Sequence, residues 1–243
     1  MCTVVALQHA DGLLLAVNRD ELHSRALALP PQVHETDGLH WLAPRDPDGD
    51  GTWVAVSDRG VAVVLLNDYH GHPTRAETPI RSRGLLVQDL VLARDLGDVA
   101  GLLLGATERL RHTRPFELLA VAEAQALHVH WNGEDLQMRP AQFPVVLTSS
   151  VLEPERTLRA RRAELALLTL DPDDVAVQHA AIQRWFARHE PGDAPRAVCM
   201  HRDIAATVSH TQVEIGRDHV RMRYHPAAPC TPAQAVELAL PRQ

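Results

Sequence analysis

The sequence predicts an α+β fold in one domain, residues 1–243, with two central β-sheets held between helical layers. Three observations carry that expectation. Apolar runs of strand type fill roughly the first third of the chain and return at its end. Three segments with helical periodicity lie between them. No repeat, low-complexity tract or linker divides the 243 residues, a length that suits one large domain or two small ones.

The elements follow in order. Thr3 to Leu7 and Leu13 to Val17 are aliphatic runs around Asp11-Gly12, and read as a hairpin. If Asp11-Gly12 is the turn, Glu21 faces Cys2; if Ala10-Asp11 is the turn, Arg19 faces it. Either register delivers Asn18-Arg19-Asp20-Glu21 to the cysteine. Leu29-Pro30-Pro31 and the polar stretch to Asp37 read as a loop. Asp46 to Gly51 imitates the start of a calcium loop, but Ser57 stands where the bidentate glutamate belongs, so the segment reads as a turn. Trp53 to Val56 and Val61 to Leu66 form a second hairpin through Asp58-Arg59-Gly60, the latter run apolar throughout and suited to burial on both faces. It ends at Asn67, a candidate oxyanion donor or a turn asparagine.

Arg83 to Leu104 is expected as helix with a break at Gly97-Asp98. Phe116 to Val121, Ala126 to Trp131 and Val145 to Thr148 are strands, the last ending at Ser149-Ser150. Glu153 to Leu168 is a charged amphipathic helix, and Arg159, Arg161 and Arg162 read as its solvated face. Val175 to His189 is a helix opened by Asp171-Pro172-Asp173-Asp174 and ended by Pro191-Gly192-Asp193. Arg196 to His201, Ala206 to Ile215 and His219 to Tyr224 are the final strands.

The chemistry centres on Cys2. Removal of the initiator methionine would make it the first residue, and a free α-amine titrates at about 7.7 to 8.0. One residue would then supply a nucleophile and its base. Arg19 beside it would favour the thiolate, and Asp20 would orient the ammonium.

Met1-Cys2 followed by Asn18-Arg19-Asp20-Glu21 and Ser24-Arg25 resembles the NRDE family, also called the Transport and Golgi organisation protein 2 family. Gly51-Thr52-Trp53, Leu66-Asn67, Ser82-Arg83-Gly84, Pro115 to Leu119, Leu147 to Ser150 and Cys199 to Arg202 extend the likeness along nearly the whole chain. Cys2 with Asn18 and Asp20 is more distantly similar to the N-terminal-nucleophile cysteine hydrolases, the choloylglycine hydrolase and penicillin V acylase group. That resemblance implies a four-layer αββα sandwich, hydrolysis of an amide or thioester, and a site of Cys2, Asn18, Arg19, Asp20, Asn67 and Ser149. The chain departs from the hydrolase pattern at Val17, where those enzymes carry arginine, and at Ser149, where they carry asparagine. Their late arginine has no secure equivalent here, Arg202 being the candidate. Glu21, Arg25, Arg83 and Arg202 are candidate substrate contacts; Arg19, Arg25 and Arg83 suit a carboxylate or phosphate, and serve equally as structural ion pairs. The family likeness also implies a second reading, a trafficking protein that binds haem, lipid or acyl-CoA without catalysis.

Composition narrows the classes. Lysine is absent, which excludes Schiff-base lysine and Walker-type chemistry, and a formal charge of −7 argues against nucleic-acid binding. Neither a leader nor a membrane-length apolar run is visible, so a cytoplasmic protein is expected. Three cysteines without paired spacing argue against a disulfide framework. Among 15 histidines, His70-Gly71-His72 reads as a solvent-exposed loop and His128-Val129-His130 as an ordinary half-exposed strand, with His201 and His210 weaker ligand candidates. No CxxC, HExxH or CxxCH occurs, so no structural metal is expected from spacing and no cofactor is required.

Overall fold

The computed structural model describes residues 2–72, 81–189 and 197–243. The Pro191-Gly192-Asp193 stop and Arg196 lie outside them.

The chain begins with the expected hairpin, β1 (Cys2–His9) and β2 (Gly12–Leu22). Next come β3 (Leu29–Thr36), β4 (Leu39–Arg45), β5 (Val54–Ser57) and β6 (Ala62–Asn67). Helices α1 (Arg83–Leu90), α2 (Leu96–Gly105) and α3 (Thr107–Leu110) follow, then β7 (Phe116–Ala122), β8 (Gln125–Trp131), β9 (Leu136–Ala141) and β10 (Val145–Thr148). The chain closes with α4 (Pro154–Ala166), α5 (Val175–Phe186), β11 (Ala205–Ile215), β12 (His219–His225) and β13 (Val236–Pro241). The strands make two antiparallel sheets, in the orders β10-β1-β2-β11-β12-β13 and β3-β4-β5-β6-β7-β8-β9.

Strand alternation builds the layers. In β1 and β2, Val4, Ala6, Leu15 and Val17 pack between the sheets against Val54, Val64 and Leu119. The intervening Val5, Leu7, Leu14 and Ala16 meet Leu165, Ile182 and Trp185 of α4 and α5. On the far sheet Val61, Val63 and Leu65 meet Val87 and Leu90 of α1 and Val99 and Leu103 of α2. Period-two side chains with apolar residues at every position therefore yield four layers. Each fully buried Leu or Val contributes roughly 1.5–3 kcal/mol.

Several elements differ from expectation. Leu29–Thr36 is a strand rather than a loop, pairing Val33 with Leu42 and His34 with Trp41; prolines are tolerated because it is an edge strand with a register shift between Leu29 and Gln32. The expected Arg83–Leu104 helix breaks earlier than Gly97, because Asp95 caps α2 by accepting from the Asp98 amide and Arg94 bonds the Asp98 carboxylate. Residues 197–201 form a bend with only an isolated His201–Ala206 bridge, since Val198 O accepts from Asn18 and Met200 pairs through Thr207. Strands β9 and β13 have alternating exposed faces that sequence reading did not single out.

Candidate active site

The first hairpin turns on Ala10-Asp11, which places Cys2 opposite Arg19. Cys2 opens β1 between β2 and β10, so its main chain is held from both sides. Its nitrogen donates to Ser149 Oγ at 2.6 Å, and its carbonyl accepts from the Ser149 amide at 3.0 Å and Thr148 Oγ1 at 3.2 Å. The half-buried thiol lies 4.0 Å from Asp20 O. Burial pushes the thiol pKa up and Asp20 adds to the rise, while Arg19 opposes it.

Asp20 leaves β2 on the opposite face from Arg19. A register shift between Thr207 and Ser209 of β11 falls beside it, the kind of bulge that re-aims side chains. Thr207 donates to Asp20 Oδ1 at 2.6 Å, whereas Oδ2 is buried with no hydrogen-bond partner among the described residues. Burial raises the carboxyl to about 6, against the Thr207 bond and the fields of Arg161 and Arg202.

These groups meet a cleft of about 320 Å³ that is also lined by Glu21, Trp53, Asn67, Arg83 and Arg114. Arg19 lies over the Trp53 ring at 4.7 Å and gives Nη2 to Glu21 and Asp46, each at 3.2 Å. Arg25 joins the same network at 2.6 Å from Asp46 and 3.5 Å from Glu21. Asp46, expected only as a turn residue, thus anchors both guanidinium groups. Asn67 donates to the Tyr69 hydroxyl at 3.2 Å.

Arg83 reaches the cleft from the first turn of α1, where it donates to Pro115 O at 2.9 Å; burial lowers its pKa. Two glycines fix that turn. A Cβ on Gly51 would stand 2.4 Å from Gly84 C, and Thr52 N donates to Gly84 O at 3.2 Å. Arg83 and Arg114 pair with no carboxylate among the described residues.

Asn18 and Arg202 do not line the cleft. The fully buried Asn18 amide donates to Phe186 O and Val198 O at 3.0 and 2.9 Å, and its oxygen accepts from His210 Nδ1 at 2.8 Å. Burial lowers His210 to about 3, so this partner is a neutral imidazole. Asn18 therefore ties β2 to the segments behind it. Arg202 bears on Asp20 through its field.

Arg161 corrects the expectation of a solvated arginine face. It is 1% exposed, on the buried stripe Thr157–Arg161–Leu165 of α4, and donates to Thr3 Oγ1 and Thr148 Oγ1 beside the cysteine. Burial lowers its pKa to about 10, still charged at neutral pH. The four-residue spacing with Thr157 and Leu165 was the available signal. Thr207 carried none, because its partner lies on a distant strand. His128 and His130 also differ from a plain half-exposed pair: His128 is buried against Glu117, and His130 is 3.0 Å from Asp68. His70 contacts Ser150 O at 3.0 Å.

The fold has solved counterparts. A mutant of the conjugated bile acid hydrolase of Clostridium perfringens superposes with a TM-score of 0.53 at 12% identity, covering 98% of this chain and 92% of that one. A second variant of that hydrolase gives 0.53 at 14% identity over the same shares. The N-acylethanolamine-hydrolyzing acid amidase ortholog of Caenorhabditis elegans gives 0.56 at 11% identity, covering 95% and 94%. These neighbours are N-terminal-nucleophile hydrolases, and the α+β sandwich of this chain is of their type. No curated protein matches the sequence. The profile of the Transport and Golgi organisation 2 family matches residues 1–178. With nearly three quarters of its length matched, the chain belongs to the Transport and Golgi organisation 2 family.

Proposed function

We propose that the protein is an N-terminal cysteine hydrolase acting on an amide or thioester substrate that carries an anionic group. The observation that carries this reading is the setting of Cys2: a thiol at the cleft, its own nitrogen held by Ser149, and a buried Asp20 oxygen without a partner among the described residues. After methionine removal that nitrogen is an amine. It takes the thiol proton as sulfur attacks the acyl carbon, and returns it to the departing amine or thiol. Ser149 and Asp20 orient and stabilise the ammonium in between. Asn67 offers an amide donor on the cleft wall for the developing oxyanion, a contact whose loss costs about 2.7–4 kcal/mol in measured cases. Water then releases the acyl group from sulfur. Arg83 and Arg114 supply positive charge for a carboxylate or phosphate on the substrate, which suits acyl-CoA-like compounds.

The test is intact mass before and after incubation with acyl-CoA and activated amides, on wild type and Cys2→Ala. The expected result is a mature chain lacking Met1 and an acyl adduct confined to Cys2. Retained methionine, or no adduct on a free N-terminal cysteine, would overturn catalysis and leave binding of haem, lipid or acyl-CoA as the function to titrate.

A further inference from the structure

Away from the cleft, His189, Cys199, His201 and Cys230 converge from three segments: the residues just after α5, the bend at 197–201, and the stretch between β12 and β13. One ligand atom from each lies within 4.8 Å of all the others. Cys199 Sγ is 3.4 Å from Cys230 Sγ and 3.5 Å from His201 Nε2, and His201 Nε2 is 3.2 Å from Cys230 Sγ. The rings of His189 and His201 meet edge-on with centroids 4.9 Å apart. Tetrahedral zinc, with bonds of about 2.3 Å to sulfur and 2.0–2.1 Å to nitrogen, sets ligand–ligand edges of roughly 3.3–3.8 Å. The three separations among Cys199, His201 and Cys230 fit that polyhedron within a few tenths of an ångström, and His189, within 4.8 Å of each, completes it by a small inward shift, whereas a disulfide requires its sulfurs at about 2.05 Å.

We propose that these four side chains form a zinc site of two cysteines and two histidines that is structural rather than catalytic. Two thiolates and two imidazoles select a soft or borderline cation over magnesium or calcium. Four protein ligands leave no open position for substrate water, and none of the four lines the cleft. The outer contacts are those of a metal-bound set: His189 Nδ1 lies 3.2 Å from Ala187 O, an interaction that orients a ligating ring, and the Cys199 amide donates to Arg188 O at 3.1 Å. His189 and His201 are exposed while Cys199 is fully buried, so the site is closed inward and reachable from solvent.

The location gives the metal a task. Met200, between two ligands, donates its amide to Thr207 Oγ1 at 2.8 Å and accepts from the Thr207 amide at 2.8 Å. Thr207 Oγ1 in turn donates to Asp20 Oδ1 at 2.6 Å. Zinc would clamp the bend that holds Thr207 and, through it, the carboxylate beside Cys2. A motif search does not find such a site, because its ligands follow no local spacing.

The experiment is elemental analysis of the full-length protein purified under reducing conditions without chelator. About one zinc per chain is expected, with cobalt exchange producing the visible bands and sulfur charge transfer of tetrahedral thiolate coordination. Cys2→Ala should retain the metal, whereas Cys230→Ser and His189→Ala should each weaken zinc binding at least tenfold. Sub-stoichiometric zinc both as purified and after anaerobic reduction and refilling would overturn the proposal. So would a Cys199–Cys230 disulfide in the reduced-purified protein, or metal lost with Cys2→Ala. The wild-type measurement stands even where a ligand variant fails to fold, and its outcome is independent of hydrolysis.

Discussion

Replacing Asp20 by Asn should stabilise the protein increasingly as pH rises, while abolishing hydrolysis. The carboxyl is 4% exposed and titrates at about 6 instead of 3.8. That shift of about two units corresponds to about 3 kcal/mol, at 1.36 kcal/mol per unit. The folded chain holds this proton more tightly than the unfolded chain, so the site's contribution is fully present below about 3.8 and is lost as pH rises through about 6. Asn cannot ionise and keeps an acceptor for Thr207. Its stability relative to wild type should therefore climb by about 2 kcal/mol between pH ~4.5 and ~8, where most of the linkage falls. Urea unfolding of both proteins across that range reads the change directly, and any fixed cost of the amide cancels. A gap that is flat, or narrows with rising pH, would refute the argument that Asp20 is kept ionised against its surroundings. Stability gained where activity is lost is the trade expected of a functional carboxylate.

Other consequences are equally measurable. Arg161→Ala should cost at least about 2 kcal/mol by denaturant midpoint, because it empties a buried volume and strips Thr3 and Thr148 of a partner; Arg159→Ala, on the exposed face, should stay within about 0.5 kcal/mol. Gly51→Ala should lower the melting temperature markedly, since its Cβ would press on the Gly84 backbone; an unchanged melting temperature would mean that the close approach does not constrain the turn. Arg83→Gln and Arg114→Gln should raise KM for anionic acyl substrates several-fold with little change in kcat, and leave neutral analogues unaffected; equal loss on both would place these arginines in positioning the machinery instead. Cys2→Ser should depress hydrolysis severely while leaving the melting temperature nearly unchanged, and an equally severe loss of stability would make Cys2 structural.

The sequence disclosed what is local. The Thr3–Leu7 and Leu13–Val17 runs gave the first hairpin, and the turn at Ala10-Asp11 was one of two registers that both brought the Asn18–Glu21 block to Cys2. What remained hidden is set by distant strands. Whether Asn18 faced the cleft or the helices depended on sheet layering, and its three partners are Phe186, Val198 and His210. Leu29–Thr36 reads as a loop because paired prolines argue against a central strand, yet on an edge a missing amide does no harm. Arg161 is masked by composition: flanked by Arg159 and Arg162 it reads as solvated, whereas it shares the buried stripe of α4 with Thr157 and Leu165.

The guanidinium-lined cleft has a practical corollary for the bench. Arg83 and Arg114 face a mouth that suits compact dianions as well as a substrate's carboxylate or phosphate. Inorganic phosphate and sulfate should therefore behave as competitive inhibitors, and added salt should weaken substrate capture by screening the same charges. A reaction screened in phosphate-buffered saline would be run in the presence of its own antagonist; one screened in a zwitterionic buffer at low ionic strength would see the cleft with its charge undiminished.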